Sequence, residues 1–155
     1  MRIIGGILLI VIGALIGLLS TTLYSGAQYP LGATTARISP ANHISEQDIQ
    51  LYNDEVVIKL DNPQWASFAP THSMDPVFDV GNHAIQVVPQ SPDDISVGDI
   101  VSYKYNNEII IHRVIEKGVD GQGTYFILKG DNNPTPDPDK VRFDQITRLT
   151  VAVIY

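Results

Sequence analysis

The sequence predicts a mainly β domain preceded by one N-terminal transmembrane α-helix. Two observations predict this fold class: an apolar run near the N-terminus, and a later series of short segments rich in Val, Ile and Tyr that turn residues separate. They divide the 155-residue chain into a transmembrane signal-anchor helix at 1–24, a linker or membrane-surface segment at 25–45 and a β-rich domain at 46–155.

The apolar run from Ile3 to Leu23 reads IIGGILLIVIGALIGLLSTTL, and no charged residue stands between Arg2 and Arg37. A helix of this length spans roughly 30 Å, which is the thickness of a bilayer's hydrocarbon core. By the positive-inside rule Met1 and Arg2 lie in the cytoplasm. We therefore expect a single-pass protein of the cell membrane with its domain outside the cytoplasm.

Two alternatives concern this N-terminal run. A cleaved signal peptide would have Ser25 and Ala27 at its −3 and −1 positions, but the run is longer than the usual core of roughly 7–15 residues, so a retained anchor is favoured. Gly13 and Gly17 share a helix face and could seat a partner helix, although glycine is common in membrane helices.

Farther along, Ser39-Pro40 has the residues of a helix start, so a short helix toward Gln50 is predicted. Asn106-Asn107 predicts a hairpin, because asparagine tolerates positive φ. The predicted strands are Glu55–Leu60, Ala84–Val88, Asp99–Tyr105, Glu108–Glu116, Thr124–Leu128 and Ile146–Tyr155.

Composition excludes several function classes. The net charge of −7 and the lack of a basic run exclude a nucleic-acid partner. The chain has no cysteine, which excludes disulfides, thiolate catalysis and cysteine zinc sites. Its four histidines have no metal-ligand spacing, and we expect neither a metal nor a cofactor.

Three segments contain chemically useful side chains: Pro70–Pro76 (PTHSMDP), Ile109–Val114 (IIIHRV) and Lys129–Asp137 (KGDNNPTPD). Taken alone, the first reads as a turn, the second as an ordinary strand and the third as a tight turn whose side chains bond to the local backbone. Catalytic triads are recognised by geometry rather than by spacing, so the residues alone give only a candidate hydrolytic set.

The order of these segments resembles the boxes of type I signal peptidases, in the serine–histidine–aspartate form of archaea and the endoplasmic reticulum. The resemblance covers Trp65 to Tyr155, and the boxes are Ser73-Met-Asp-Pro76, Gly98-Asp-Ile-Val101, His112-Arg-Val114 and Gly130-Asp-Asn-Asn133 with Asp137. The bacterial form has a lysine next to the arginine where this chain has His112. The resemblance implies a signal-peptidase-like β-fold for the catalytic domain.

The resemblance also implies roles for five residues. Ser73 would be the nucleophile and His112 the general base and acid. Asp137 is preferred as the partner of His112, with Asp131 holding the turn, although the sequence does not separate the two. The oxyanion would meet the Ser73 backbone N–H and the Thr71 hydroxyl.

The expected function is that of a membrane-bound serine endopeptidase that removes signal peptides from exported preproteins after small residues at −1 and −3. Its partners would be these signal peptides and the lipid bilayer. Trp65, Phe68 and Ala69 are expected either to dip into the membrane surface or to belong to the core.

Three alternatives remain open at this stage. His72 could be the base in place of His112, but in an extended chain it points away from Ser73. It also stands directly before the serine, where the family usually has glycine. This departure, with Asn82 in place of aspartate, allows a weak or inactive tethered homologue that binds exported chains. A serine–lysine self-cleaving repressor would need Lys104 or Lys129 as its base.

Overall fold

The computed structural model describes residues 37–155, and this part of the chain consists mainly of β-strands. The strands are β1 (Ile49–Leu51), β2 (Val56–Ile58), β3 (Gln64–Ser67), β4 (His83–Val87), β5 (Ile100–Tyr105), β6 (Glu108–Asp120), β7 (Gly123–Lys129), β8 (Val141–Arg142) and β9 (Ile146–Ile154). Short 3-10 helices lie at Glu46–Asp48, Pro92–Asp94 and Phe143–Gln145.

Seven of these strands form one antiparallel sheet in the order β3-β4-β9-β5-β6-β7-β8, while β1 and β2 pair separately. Asn106 and Asn107 connect β5 to β6, with Asn106 at φ 54° and Tyr105 paired to Glu108. The predicted hairpin is confirmed. Strand β6 pairs with β5 through its first half and with β7 through its second.

The six predicted strands all coincide with observed ones, but the short strands β1, β3 and β8 were not predicted. The predicted helix from Ser39 toward Gln50 is wrong: one 3-10 turn at Glu46–Asp48 leads directly into β1. Tertiary contacts determine this path, since Arg113 donates to the Ile38 carbonyl and Ala41 N–H donates to Asp99 Oδ1.

The fold class needs a correction. No helix within residues 37–155 is long and apolar enough to cross a membrane, and the described fold is mainly β without the predicted transmembrane helix. The run at 1–24 to which that helix was assigned, with Gly13 and Gly17, lies outside the described residues. Of the predicted linker at 25–45, the described part contacts the domain, because Arg37 pairs with Asp131 and His43 with Asp99.

Two apolar clusters pack on the sheet. The larger is formed by Ile95, Val101, Tyr103, Val114, Phe126, Leu128, Val141, Ile146 and Leu149. The smaller consists of Met74, Phe78 and Ile100, with Phe68, Val77, Ile111 and Val153 against it. Met74 directly follows Ser73, so burial of its side chain fixes the segment that presents the serine.

Candidate active site

Ser73 lies in the loop that joins β3 to β4. Its Oγ is 3.1 Å from Thr71 Oγ1, and its backbone N–H donates to the same Thr71 oxygen over a long 3.4 Å. Among residues 37–155 this N–H therefore has only a weak partner, which another oxygen could replace. His72 adopts φ 57°, a left-handed conformation that is uncommon for a residue other than glycine.

The turn after β7 clamps this loop. Asn132 donates its backbone N–H to the Ser73 carbonyl at 2.8 Å and its side-chain amide to the His72 carbonyl at 3.0 Å. Gly130 lies so close that a Cβ added there would be 2.7 Å from the Ser73 carbonyl oxygen. The Gly130–Asn133 turn thus fixes the backbone of the serine from outside its own loop.

His112 lies on β6 and is hydrogen bonded to Asp137. Its Nδ1 is 2.7 Å from Asp137 Oδ2 and 3.0 Å from Asp137 Oδ1, and the imidazole is 8 % exposed. A carboxylate at Nδ1 favours the tautomer with its proton on that nitrogen, which leaves Nε2 as the acceptor. Tyr103 donates its hydroxyl to Asp137 Oδ2 at 2.7 Å.

Asp131 has a different partner. Arg113, the residue after His112, donates to both of its carboxylate oxygens at 2.8 and 2.7 Å, and this pair is buried. Arg113 also donates to the Gly98 carbonyl at 2.7 Å, and Arg37 contacts Asp131 from the other side. The two aspartates are therefore separated in space: Asp137 orients the imidazole, while Asp131 ties the turn to β6 beside it.

Ser73 and His112 line the same cleft, which has a volume of about 810 Å³. Residues of β3, of the following loop and of the start of β6 form its apolar walls, among them Ala66, Phe68, Ala69, Ile109 and Ile111. Within residues 37–155 the His112 ring bonds only to Asp137, and Ser73 Oγ bonds only to Thr71. Catalytic hydrogen bonds are often long or absent until a substrate is bound, so this arrangement is compatible with a serine–histidine pair.

No protein-family model matches this chain. Over 44 residues the chain is 50% identical to "Uncharacterized protein MJ0260" of Methanocaldococcus jannaschii. The match covers 28% of this chain and 22% of that relative, so the chain matches about a fifth of the relative's length. The name of this relative describes no activity, and the resemblance to signal peptidases stays a prediction.

A second serine–histidine contact, between Ser67 of the cleft wall and His83, was not predicted. Ser67 Oγ lies 3.3 Å from His83 Nδ1, and the His83 ring packs against Trp65 at 4.8 Å between ring centroids. Among the described residues no carboxylate bonds to His83, in contrast to His112. The sequence could not predict that His83 on β4 contacts Ser67 on β3, because no motif surrounds His83.

Among the described residues the His72 ring bonds to two carboxylates and not to Ser73. Its Nδ1 is 3.2 Å from Asp75 Oδ2 and 2.7 Å from Asp79 Oδ2, so the ring is bound to carboxylates of its own loop. The potential ligand atoms of these three residues lie within 4.8 Å of one another, the one such group found among residues 37–155. His72 is largely exposed, and the expectation that the protein uses no metal stays a prediction.

The apolar residues near the serine differ in burial, and contact of any of them with a membrane stays a prediction. Phe68 stacks on Phe78 at 4.1 Å between ring centroids and belongs to the smaller core cluster. Trp65 is 61% exposed. Lys104 and Lys129, the candidate bases of the self-cleaving alternative, are not among the residues that line the cleft.

Proposed function

We propose that this protein is a serine endopeptidase of the type I signal-peptidase kind, which cleaves by way of an acyl-enzyme. One observation carries the proposal: the imidazole that Asp137 orients lines the same cleft as Ser73. The order of the sequence boxes supports it, since three of the four boxes contribute Ser73, His112 and Asp137 to this site. The second Ser–His contact, between Ser67 and His83, has no carboxylate within residues 37–155 that would orient its ring.

The residues divide the chemistry as follows. Ser73 Oγ attacks the carbonyl carbon of the scissile peptide bond while its proton passes to His112 Nε2. The imidazolium, stabilised by Asp137, then returns this proton to the leaving amine as the C–N bond breaks. Water repeats the sequence on the ester and releases the acyl product, so the enzyme returns to its starting state.

The negative oxygen of the tetrahedral intermediate would be stabilised by the Ser73 backbone N–H and the Thr71 hydroxyl. The N–H has only the weak 3.4 Å contact to Thr71 Oγ1, and Thr71 Oγ1 already lies 3.1 Å from the nucleophile. Both donors thus lie beside the nucleophile, and one donor of this kind to an oxyanion contributes about 10²–10³ in rate.

The substrate proposed is the signal peptide of an exported preprotein, cleaved after small residues at −1 and −3. The apolar walls of the cleft support the binding of an extended peptide through apolar side chains such as alanine. The exported location of the domain and its contact with a bilayer stay predictions.

A test uses the full chain and a quenched fluorescent peptide with alanine at −1 and −3. Ser73→Ala and His112→Ala should each lower kcat/KM by at least about 10³, the scale of triad removal. The matched control is the Ser67→Ala/His83→Ala double variant, which removes the other serine–histidine contact and should retain most of the activity. Full activity in Ser73→Ala, or loss only in the control, would exclude Ser73 as the nucleophile.

A second candidate is a catalytically weak or inactive homologue that binds exported chains. One observation favours it: Ser73 Oγ is bonded to Thr71, with no bond to the His112 ring among the described residues. The same peptide separates the two functions. Binding without any cleavage by the wild-type chain would support the binding protein.

A further inference from the structure

Two polar side chains that line the cleft are almost fully buried. Gln86 on β4 and Ser102 on β5 line it, and each is only 5% exposed. We call this pair the polar wall. Polar groups at this depth are normally paired, and an unpaired one lowers stability unless a ligand or water pairs with it.

The hydrogen bonds of the polar wall leave two positions open. Gln86 Nε2 donates to Ser102 Oγ and to Thr150 Oγ1, both at 2.9 Å, so both amide protons are used. Among the described residues nothing donates to Gln86 Oε1. This oxygen is not sealed from solvent, because it is not one of the fully buried side-chain atoms within residues 37–155 that have no hydrogen-bond partner. Gln86 lines the cleft, and Oε1 is the atom of its amide to which no described residue donates.

The Ser102 hydroxyl completes the pattern. Its oxygen accepts from Gln86, while its own proton has no acceptor among the described residues. The polar wall thus offers one acceptor, Gln86 Oε1, and one donor, Ser102 O–H. If the Gln86 amide were rotated by 180°, its Oε1 would accept from the hydroxyls of Ser102 and Thr150. The Gln86 N–H would then be the free donor and a lone pair of Ser102 Oγ the free acceptor, so the polar wall would again offer one of each.

We propose that the polar wall is a subsite for a hydroxyl-bearing side chain, serine or threonine, of the substrate peptide, an inference that rests on the proposed function. A hydroxyl both donates and accepts at one atom, which matches the pair. An alanine methyl would displace water and leave donor and acceptor unpaired. A site that is built to hydrogen bond a hydroxyl discriminates strongly against its apolar analogue.

The test compares a host peptide that has alanine at −3, −2 and −1 with peptides that have one serine at each position in turn. Binding to the full chain with Ser73→Ala is measured by fluorescence anisotropy, and cleavage is measured with the wild-type serine. Serine at one position should bind about tenfold more tightly than alanine, which corresponds to two modest hydrogen bonds.

Variants then locate the preference. Gln86→Met, which nearly conserves volume, and the smaller change Ser102→Ala should each abolish the serine preference in the Ser73→Ala background. Thr150→Val is the matched control: it removes the other acceptor of the Gln86 amide, at a residue that does not line the cleft, and should retain the preference.

The outcomes separate the subsite from the protease. Equal binding of serine and alanine peptides, or a preference that survives Gln86→Met, overturns the subsite. Cleavage without preference overturns the subsite and leaves the protease. Preferential binding without cleavage supports the subsite and overturns the protease. If no peptide binds and none is cleaved, both proposals fail.

Discussion

The hydroxyl of Tyr103 donates to Asp137 Oδ2 at 2.7 Å, the same oxygen that lies 2.7 Å from His112 Nδ1. Burial raises the pKa of the Tyr103 phenol, and its bond to Asp137 raises it further, so the hydroxyl keeps its proton and stays a donor. A carboxylate oxygen held by two donors has little freedom to rotate. Tyr103 therefore acts as a positioning residue for His112, through Asp137.

Replacing Tyr103 by phenylalanine removes this donor and keeps the buried ring. We expect kcat on the peptide substrate to fall about 10-fold, the scale of one hydrogen bond to a charged group, with KM little changed. The control is Tyr105→Phe, which removes a longer bond of 3.3 Å to the exposed Asp139. Equal kcat values for both variants, or a change in KM alone, would contradict the positioning role.

Changing Asp137 to asparagine should mainly lower kcat, whereas changing Asp131 to asparagine should mainly lower stability. Asp137→Asn puts an amide beside His112 Nδ1, which favours the wrong tautomer, so kcat should fall by about 10⁴ with little loss of stability. Asp131→Asn leaves the buried Arg113 without its carboxylate. It should lower the free energy of unfolding by roughly 3–5 kcal/mol, while kcat of the folded fraction changes much less.

Urea unfolding followed by circular dichroism, together with kcat corrected for the folded fraction, measures both effects. The opposite pattern, with a stable Asp131→Asn that has lost activity and an unfolded Asp137→Asn, would exchange the proposed roles of the two residues.

Much of the sheet could be predicted from local pattern. The Val-, Ile- and Tyr-rich segments and the Asn106-Asn107 turn identify the strands around β5 and β6, because alternation and turn chemistry act over a few residues. The path of residues 38–43 could not be predicted, since it depends on Asp99 and Arg113, which lie far along the chain.

The site shows the same division between local and distant contacts. The boxes identified Ser73, His112 and two aspartates, but the sequence could not choose the partner of His112. Tyr103 looked like an ordinary strand residue, because its bond to Asp137 spans 34 positions. The bond from the Asn132 side chain to the serine loop spans 60 positions, and no rule of sequence spacing predicts such pairs.

An ion cluster at the far end of β6 predicts a dependence of stability on pH. Arg142 and then Lys140 hydrogen bond to Asp120 and hold the pKa of that carboxyl well below its usual value. Because the folded pKa is lower than the unfolded one, the folded state binds fewer protons. The cluster therefore stabilises the fold above roughly pH 4, and its contribution is lost as the pH falls through the folded pKa.

Asp120→Asn should accordingly lower the melting temperature at pH 7 by a small amount, and its difference from wild type should shrink below about pH 4. Asp54→Asn removes one exposed carboxylate for which the described residues show no ion pair, and its melting temperature should match wild type at both pH values. Melting followed by circular dichroism measures the effect. A difference that grew on acidification would contradict this account of Asp120.

The contact between Gly130 and the serine loop predicts that a single methyl group impairs catalysis. An alanine Cβ at position 130 would lie 2.7 Å from the Ser73 carbonyl oxygen and 2.7 Å from the Asn133 amide, so the serine backbone must shift. Displacements of about 1 Å at a reacting group lower rates by about 10², and we expect a loss in kcat between 10-fold and that value. Gly121→Ala is the matched control, since nothing lies within 4 Å of its added Cβ. Its kcat should equal that of wild type; if Gly130→Ala also retained full kcat, the turn would not position the nucleophile.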